Sequence, residues 1–200
     1  MPNFRIIPIA IIAFIACKQP KTDTAAKGKE EVVKKEEPTE YIPVNDYIRN
    51  EIKSIDSLPV GILKRETNGG KGDSVFITPP EFKRLSAVFL PKELEKDNFQ
   101  RSFTESSFFD QTTESLTFTY QANDPASSVR RVDVLASPSL QLDKIKSVYI
   151  EKSFSNADTV FNQKLYWKGG TSFTIITEKI LAQKPPVIHQ VKVIWDPMNY

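Results

Sequence analysis

Apolar and polar residues alternate with a period of two through most of the second half of the chain. Six segments show this alternation and have the length of strands: 116–121, 128–136, 145–153, 159–167, 172–177 and 187–195. Turn-forming residues separate these segments, for example Asn123-Asp124-Pro125 and Gly169-Gly170. Six consecutive strands with short links predict an antiparallel meander.

The preceding part of the chain has a helical period. Asn45 or Asp46 can cap a helix that is predicted to end near Ser57, before Pro59. Its apolar face carries Tyr47, Ile48, Ile52 and Ile55. A β-hairpin follows, because the glycine-rich turn 68–73 stands between two strand-like segments, 60–65 and 74–77.

A second helix is predicted from Thr78, with Pro79 and Pro80 tolerated in its first turn. Its apolar stripe consists of Phe82, Leu85, Val88 and Phe89. Pro91 interrupts it, and 92–102 is predicted to continue as another helical piece. The next segment, 103–113, is predicted to be an aromatic, hydroxyl-rich loop that closes the helices onto the sheet. The rings of this loop would act as plugs, packed between the helices and the sheet: Phe103, Phe108 and Phe109.

These patterns predict one α+β domain over residues 41–200. We expect an antiparallel meander sheet of about six to eight strands with two or three helices packed on one side. One face of the sheet would be covered by the helices and the other would face solvent, which suits the strong alternation.

The aromatic residues of the strands give a candidate binding surface. Neighbours on a strand point to opposite faces, so Tyr166 and Trp167 cannot both lie in the core. An aromatic ring on the outer face can anchor a sugar, a peptide or a lipid, or it can form a cross-strand packing pair. Together with two aromatic residues of the 103–113 loop, the candidate surface is Tyr166, Trp167, Phe108 and Phe109.

The composition limits the kinds of binding and catalytic site that the protein can have. The 27 basic and 25 acidic residues give a formal net charge of +2, which does not favour nucleic-acid binding. With one histidine and one cysteine, His-rich zinc sites are excluded, and we expect neither a metal nor a cofactor. His189 alternates with Val187 and Val191, so it is interpreted as a core or edge residue; a Ser–His–Asp triad could be built only around this ring.

Two other polar clusters have structural interpretations. The turn from Asn68 to Asp73 lacks the spacing of a phosphate-binding loop and leads into a strand, so we interpret it as a hairpin tip. Glu105, Asp110 and Glu114 could serve acid–base catalysis or bind a hard cation. Neighbouring acids on a loop are usually solvated, and the protein is expected not to be an enzyme.

The start of the chain carries a targeting pattern. Arg5 precedes an apolar run, residues 6–15, which is too short for a bilayer span of about 20 residues and suits a secretory signal. The stretch Phe14-Ile15-Ala16-Cys17 resembles the lipobox of bacterial lipoproteins. The resemblance implies cleavage between Ala16 and Cys17 of a signal peptide over residues 1–16, and diacylglycerol on the Cys17 sulfur, which would anchor the chain in a membrane.

The charged segment between the anchor and the domain is predicted to be a spacer. Residues 17–40 comprise the lipidated cysteine and a Lys/Glu-rich stretch with too little apolar surface to fold, so disorder is expected. A partner-binding charged segment is the alternative. Lys18 after the cysteine resembles lipoproteins sent to the outer membrane of Gram-negative cells, which is the localisation we expect.

Three classes of function remain open at this point. The first is a non-catalytic binding module for an envelope protein, peptide or glycan. The second is a lipid or lipoprotein carrier or acceptor with an apolar cavity between sheet and helices. The third is an envelope hydrolase that uses the acidic loop, and the scarcity of nucleophiles and bases makes it the least supported.

Overall fold

The computed structural model describes residues 42–55, 61–138 and 144–199. Three α-helices are present among them: α1 (Val44–Ile55), α2 (Pro79–Ser86) and α3 (Lys96–Ser102). The strands are β1 (Ile62–Asn68), β2 (Lys71–Ile77), β3 (Phe103–Asp110), β4 (Ser115–Ala122), β5 (Val129–Ala136), β6 (Ile145–Asn156), β7 (Thr159–Lys168), β8 (Ser172–Leu181) and β9 (Val187–Ile194). Short 3₁₀ turns occupy Ala87–Phe89, Lys92–Leu94 and Pro197–Asn199.

All nine strands belong to one antiparallel sheet. Strands β3 to β9 follow one another as a meander, and β9 pairs with β1 of the hairpin β1–β2, so that the order is β2-β1-β9-β8-β7-β6-β5-β4-β3. The α+β class, the antiparallel meander and the hairpin at the glycine-rich turn are therefore confirmed. The expected count of six to eight strands is wrong, because the sheet has nine.

The additional strand is β3, where a loop was expected. Phe103–Asp110 pairs with β4 along its whole length, from Phe103 opposite Ala122 to Asp110 opposite Ser115. Only its first residue is buried, because β3 lies at the edge of the sheet. An edge strand that buries little has no reason to alternate apolar and polar residues, so the period-two signal is missing from its sequence.

The helices differ from the sequence prediction in their ends. Helix α1 begins at Val44, so Asn45 and Asp46 lie within its first turn and do not cap it. Its predicted end at Ser57 falls outside the described residues. The piece expected over 92–102 is divided, because Glu95 is extended between a 3₁₀ turn and α3.

The core lies between the helices and one face of the sheet, which we call the inner face. Phe82 of α2 is fully buried, with its ring centroid 5.3 Å from that of Trp195 and 6.4 Å from that of Trp167. Phe99 of α3 packs at 4.6 Å on Tyr120, which the strand register places on the same face. The opposite side of the sheet is the outer face.

Helix α1 is fixed to the sheet by polar contacts at the turn between β7 and β8. The Glu51 carboxylate accepts hydrogen bonds from Trp167 Nε1 at 3.3 Å and from the backbone N–H of Gly170 at 2.7 Å. The Tyr47 hydroxyl donates to the Ile145 carbonyl at 3.4 Å. These bonds hold α1 at the start of β6 and the end of β7, on the inner face.

Candidate functional site

The structure divides the pair Tyr166 and Trp167 between the two faces. Trp167 is fully buried, stacked at 5.3 Å on Phe173 and in edge contact at 5.2 Å with Phe89. Tyr166 is 43% exposed on the outer face. The prediction that Tyr166 and Trp167 lie on opposite faces is confirmed. Trp167 cannot be part of the candidate binding surface, because its ring is buried in the core.

Tyr166 lies near the centre of a row of polar side chains that crosses the outer face. Strand register places Tyr149 of β6 directly opposite it on one side and Thr174 of β8 on the other. Asp133 of β5 extends the row beyond Tyr149, and Lys192 of β9 extends it beyond Thr174. We call these five residues the tyrosine row.

The acidic end of the tyrosine row is held by hydrogen bonds. Asp133 Oδ1 accepts from Thr119 Oγ1 at 2.8 Å and from Arg131 Nε at 2.9 Å. Burial raises the pKa of the Tyr149 hydroxyl, and the carboxylates of Glu151 and Asp133 raise it further. Tyr149 therefore keeps its proton at physiological pH and can donate a hydrogen bond from the outer face.

A second polar ladder lies farther along the same strands. Ser153 Oγ donates to Asn162 Oδ1 at 3.0 Å, and Asn162 Nδ2 donates to Glu178 Oε2 at 3.0 Å. These bonds cross β6, β7 and β8 on the outer face and hold three side chains in place. This ladder is separate from the tyrosine row, since Asn162 lies four residues before Tyr166 on β7.

The outer face has the chemistry of a recognition surface. A half-exposed tyrosine ring offers apolar area and a hydroxyl at low conformational cost. Asp133, paired with Arg131, lies toward one end of the row, and Lys192 lies toward the other. This arrangement suits a sugar ring or a peptide that stacks on Tyr166 and hydrogen-bonds on either side.

Phe108 and Phe109 do not join this surface. They lie on the edge strand β3, 68% and 47% exposed, with Phe108 on the outer face and Phe109 on the inner one. Four strand spacings separate β3 from β7, which places Phe108 about 19 Å from the Tyr166 strand. The plug role expected for these two rings is wrong, whereas Phe103 is buried as expected.

The three acidic residues are not brought together: Asp110 and Glu114 lie at the β3–β4 turn, and Glu105 lies farther back on β3. Asp110 Oδ1 accepts from the Thr112 backbone N–H and Oδ2 from Thr113 Oγ1, both at 2.8 Å, and these bonds lower the pKa of Asp110. Glu114 has a positive φ of 46° in the same β3–β4 turn, while Glu105 lies along the strand opposite Tyr120. Within the described part of the chain, no three side chains of His, Cys, Asp or Glu form a group that could hold a metal ion.

His189 belongs to a small charged network on the inner face. Its Nε2 lies 2.7 Å from Glu66 Oε1, and Lys64 Nζ bridges Glu66 at 3.3 Å and Glu81 at 3.4 Å. The contact with His189, followed by that with Lys64, lowers the pKa of Glu66. The histidine therefore joins β9 to β1, two interior strands of the sheet, and its side chain is partly exposed.

Sequence reasoning missed Tyr149 as the partner of Tyr166. Both residues are visible as strand aromatics, but their adjacency depends on the register of β6 and β7, which the turn Asn156 to Thr159 sets.

Cys17 and Ala16 lie outside the described residues. Of the helices that the structure describes, none is long and apolar enough to cross a membrane.

Comparison with known proteins gives no relative from which a function could be transferred. No family model matches the chain, and no curated protein or solved structure matches it either.

Proposed function

We propose that this protein is a lipid-anchored lipoprotein of the bacterial cell envelope whose domain is a non-catalytic binding module. The outer face around Tyr166 would bind an envelope protein, a peptide or a glycan. The observation that carries the binding role is a half-exposed Tyr166 held between Tyr149 and Thr174 on an uncovered sheet face. The anchor rests on the lipobox-like residues that end at Cys17.

The localisation follows from the start of the chain. Cys17 would carry the lipid, and Lys18 directly after it is typical of lipoproteins sorted to the outer membrane of Gram-negative bacteria. Two or more acyl chains give stable anchoring where one chain is marginal. The protein would therefore reside on that membrane, with its domain at the end of the spacer.

The anchor is tested by intact mass and fractionation. The wild-type chain is expected in the membrane fraction, beginning at Cys17 and heavier by its acyl groups. The Cys17→Ser protein should lack these groups and leave that fraction. A wild-type chain without added mass, or one cleaved elsewhere, would contradict the anchor.

The binding face is tested by site-specific photo-crosslinking in intact cells. A photoreactive phenylalanine analogue replaces Tyr166 in one strain and Gln100, an exposed residue of α3, in another. Position 166 should give a discrete adduct that position 100 does not give, because only the first site lies on the outer face. Identical products from both positions would argue against a binding surface at Tyr166.

A carrier or acceptor of lipids is the other candidate from the sequence. It needs an apolar cavity between α2 and the sheet. Phe82 and Phe89 fill that space, each with its ring centroid within about 5.5 Å of Phe173. This packing supports the binding module ahead of the carrier.

A further inference from the structure

The polar side chains of the tyrosine row continue past Lys192 onto the β1–β2 hairpin. Strand register places Arg65 of β1 directly opposite Lys192, and Ser74 of β2 directly opposite Arg65. On its other side, Lys192 lies opposite Thr174 of β8, which in turn lies opposite Tyr166. Two cations therefore stand side by side on neighbouring interior strands, at the end of a line of polar side chains that leads to Tyr166.

This pair of cations has no counter-ion among the residues that the structure describes. Directly opposed residues of an antiparallel sheet have Cβ atoms about 4.5–5.5 Å apart, and like charges in such a pair are destabilising. With the described residues, neither Lys192 nor Arg65 forms a side-chain hydrogen bond or an ion pair. Arg65 is exposed and Lys192 is partly buried, so the repulsion acts beside the sheet surface and not only in bulk water.

The inner face of the same strands shows a pair of like charges that is compensated. Glu66 of β1 lies directly opposite Asp73 of β2. The Glu66 carboxylate forms an ion pair with Lys64 at 3.3 Å and contacts His189 at 2.7 Å. Like charges thus face each other on both sides of the hairpin, but the outer pair is the one without a counter-ion.

The acids of the outer face are engaged elsewhere. Asp133 pairs with Arg131 at 2.9 Å, and Glu151 lies directly opposite Lys164. Glu178 belongs to the second polar ladder, farther along β8 from the row. None of these three acids lies opposite Lys192 or Arg65 in the register of the sheet.

A further cation adds to the excess of positive charge. Lys168, two residues after Tyr166 on β7, is exposed and lies opposite a serine on each neighbouring strand. Asp196, beyond the end of β9, accepts a hydrogen bond from the Met198 backbone N–H. Among the described residues, the outer face from β7 to β1 therefore carries more positive than negative charge and is complementary to an anion.

The other side chains of this surface indicate the class of the anion. From Tyr149 to Arg65 the line consists of tyrosine and threonine hydroxyls, aromatic rings and cations, with no aliphatic residue. Interfaces with proteins and peptides usually have an apolar centre from which charge is depleted. A saccharide instead hydrogen-bonds through its hydroxyls and can stack a ring face on a tyrosine. The composition of the line therefore favours an anionic glycan over an acidic peptide.

The spacing of these groups requires an elongated ligand. Three strand spacings separate Tyr166 from Arg65, which is about 14 Å. A single sugar ring stacked on Tyr166 does not reach both cations across this distance. The ligand would therefore contain at least two sugar residues, with its anionic group away from the ring that Tyr166 contacts.

We propose that the outer face binds an anionic oligosaccharide, with a sugar ring on Tyr166 and a carboxylate or phosphate group between Lys192 and Arg65. This inference rests on the proposed binding role of the outer face and names the chemical class of its ligand. The planar guanidinium of Arg65 can hold either anion through two parallel hydrogen bonds, and Lys192 adds a point charge beside it. The bound anion would also relieve the repulsion between the two side chains.

Binding is measured by isothermal titration calorimetry of the full chain with four defined probes. An oligogalacturonate carries carboxylates, and a phosphorylated mannan oligosaccharide carries phosphates. A dextran oligosaccharide is neutral, and poly-glutamate is an acidic peptide without sugar rings. At least one of the anionic saccharides should bind, and the tighter of the two identifies the anionic group. Dextran and poly-glutamate should bind about tenfold more weakly or not at all.

Two double variants with the same change in charge separate a site from general attraction. Lys192→Gln with Arg65→Gln should weaken binding of the anionic saccharide about tenfold or more. Lys96→Gln with Arg101→Gln, at exposed positions of α3, should leave it near the wild-type value. Equal losses in both would show attraction to the net charge of the protein and would overturn the proposal.

Urea unfolding without ligand checks that the first double variant is folded. Its midpoint should be no lower than that of the wild-type chain, because the substitutions remove a repulsion. A lower midpoint would show that the two cations serve the fold and would count against the proposal. Arg65→Gln alone, at an exposed position, then gives the loss of binding without the partly buried Lys192 being changed.

The outcomes distinguish this inference from the proposed binding role. A discrete protein adduct from position 166 together with no saccharide binding would leave the binding module standing and overturn the glycan. Poly-glutamate that binds as tightly as the saccharides would also overturn the glycan, in favour of an acidic peptide. Saccharide binding that Tyr166→Ala does not weaken would overturn the position proposed for the sugar ring.

Discussion

Replacing Trp167 with alanine is expected to destabilise the domain by about 3–5 kcal/mol. The indole is fully buried at the junction of sheet and helices, in ring contact with Phe82, Phe89 and Phe173. Its removal leaves a cavity that these rings cannot fill without moving. It also deprives Glu51 of one hydrogen-bond donor and so weakens the attachment of α1.

The measurement is urea unfolding of the full chain followed by far-UV circular dichroism. The matched control is Tyr166→Ala, one residue away on the outer face, for which a loss below about 1 kcal/mol is expected. Phe173→Leu provides a milder core variant if the Trp167→Ala protein does not fold. Similar midpoints for Trp167→Ala and Tyr166→Ala would show that the two faces contribute equally and that the assigned core is wrong.

Gly169→Ala is expected to cost about 1–3 kcal/mol, because there is no room for a methyl group. A Cβ at this position would lie 2.6 Å from the Tyr47 hydroxyl and 3.0 Å from the Ile145 carbonyl oxygen. The hydroxyl must move, and its hydrogen bond to Ile145 is then lost. This glycine therefore permits the close approach of α1 to the β7–β8 turn.

Two further variants test whether the clash with the Tyr47 hydroxyl causes the loss of stability. Gly72→Ala is the control, because a Cβ there meets atoms no closer than 3.8 Å, and little change in the unfolding midpoint is expected. Tyr47→Phe removes the clashing hydroxyl, so the double variant Gly169→Ala with Tyr47→Phe should recover part of the lost stability. If the two substitutions were simply additive in urea unfolding, the contact with Tyr47 would not be the source of the loss.

The order of the strands β4 to β9 could be predicted from the sequence, since each is half-buried and flanked by turn residues. The same signal placed Tyr166 and Trp167 on opposite faces, although it did not say which of them was buried. Trp167 is the buried one because it shares the inner face with Phe173 and Trp195, under the rings of Phe82 and Phe89.

Strand β3 and the roles of Phe108 and Phe109 could not be predicted in this way. An edge strand is specified by its backbone pairing to β4, and its exposed side chains leave no hydrophobic period. The sequence of 103–110 therefore predicts a loop with buried phenylalanines, whereas the structure has an edge strand on which Phe108 and Phe109 are exposed.

The sequence by itself determined the class of fold, the helical and strand periods, and the lipobox-like pattern at Cys17, because these depend on residues close together along the chain. The tertiary structure alone decided which residues meet across strands. The tyrosine row and the pairing of β9 with β1 depend on strand register, and the burial of Trp167 depends on where the helices lie on the sheet. Both result from contacts between distant segments, which no local pattern encodes.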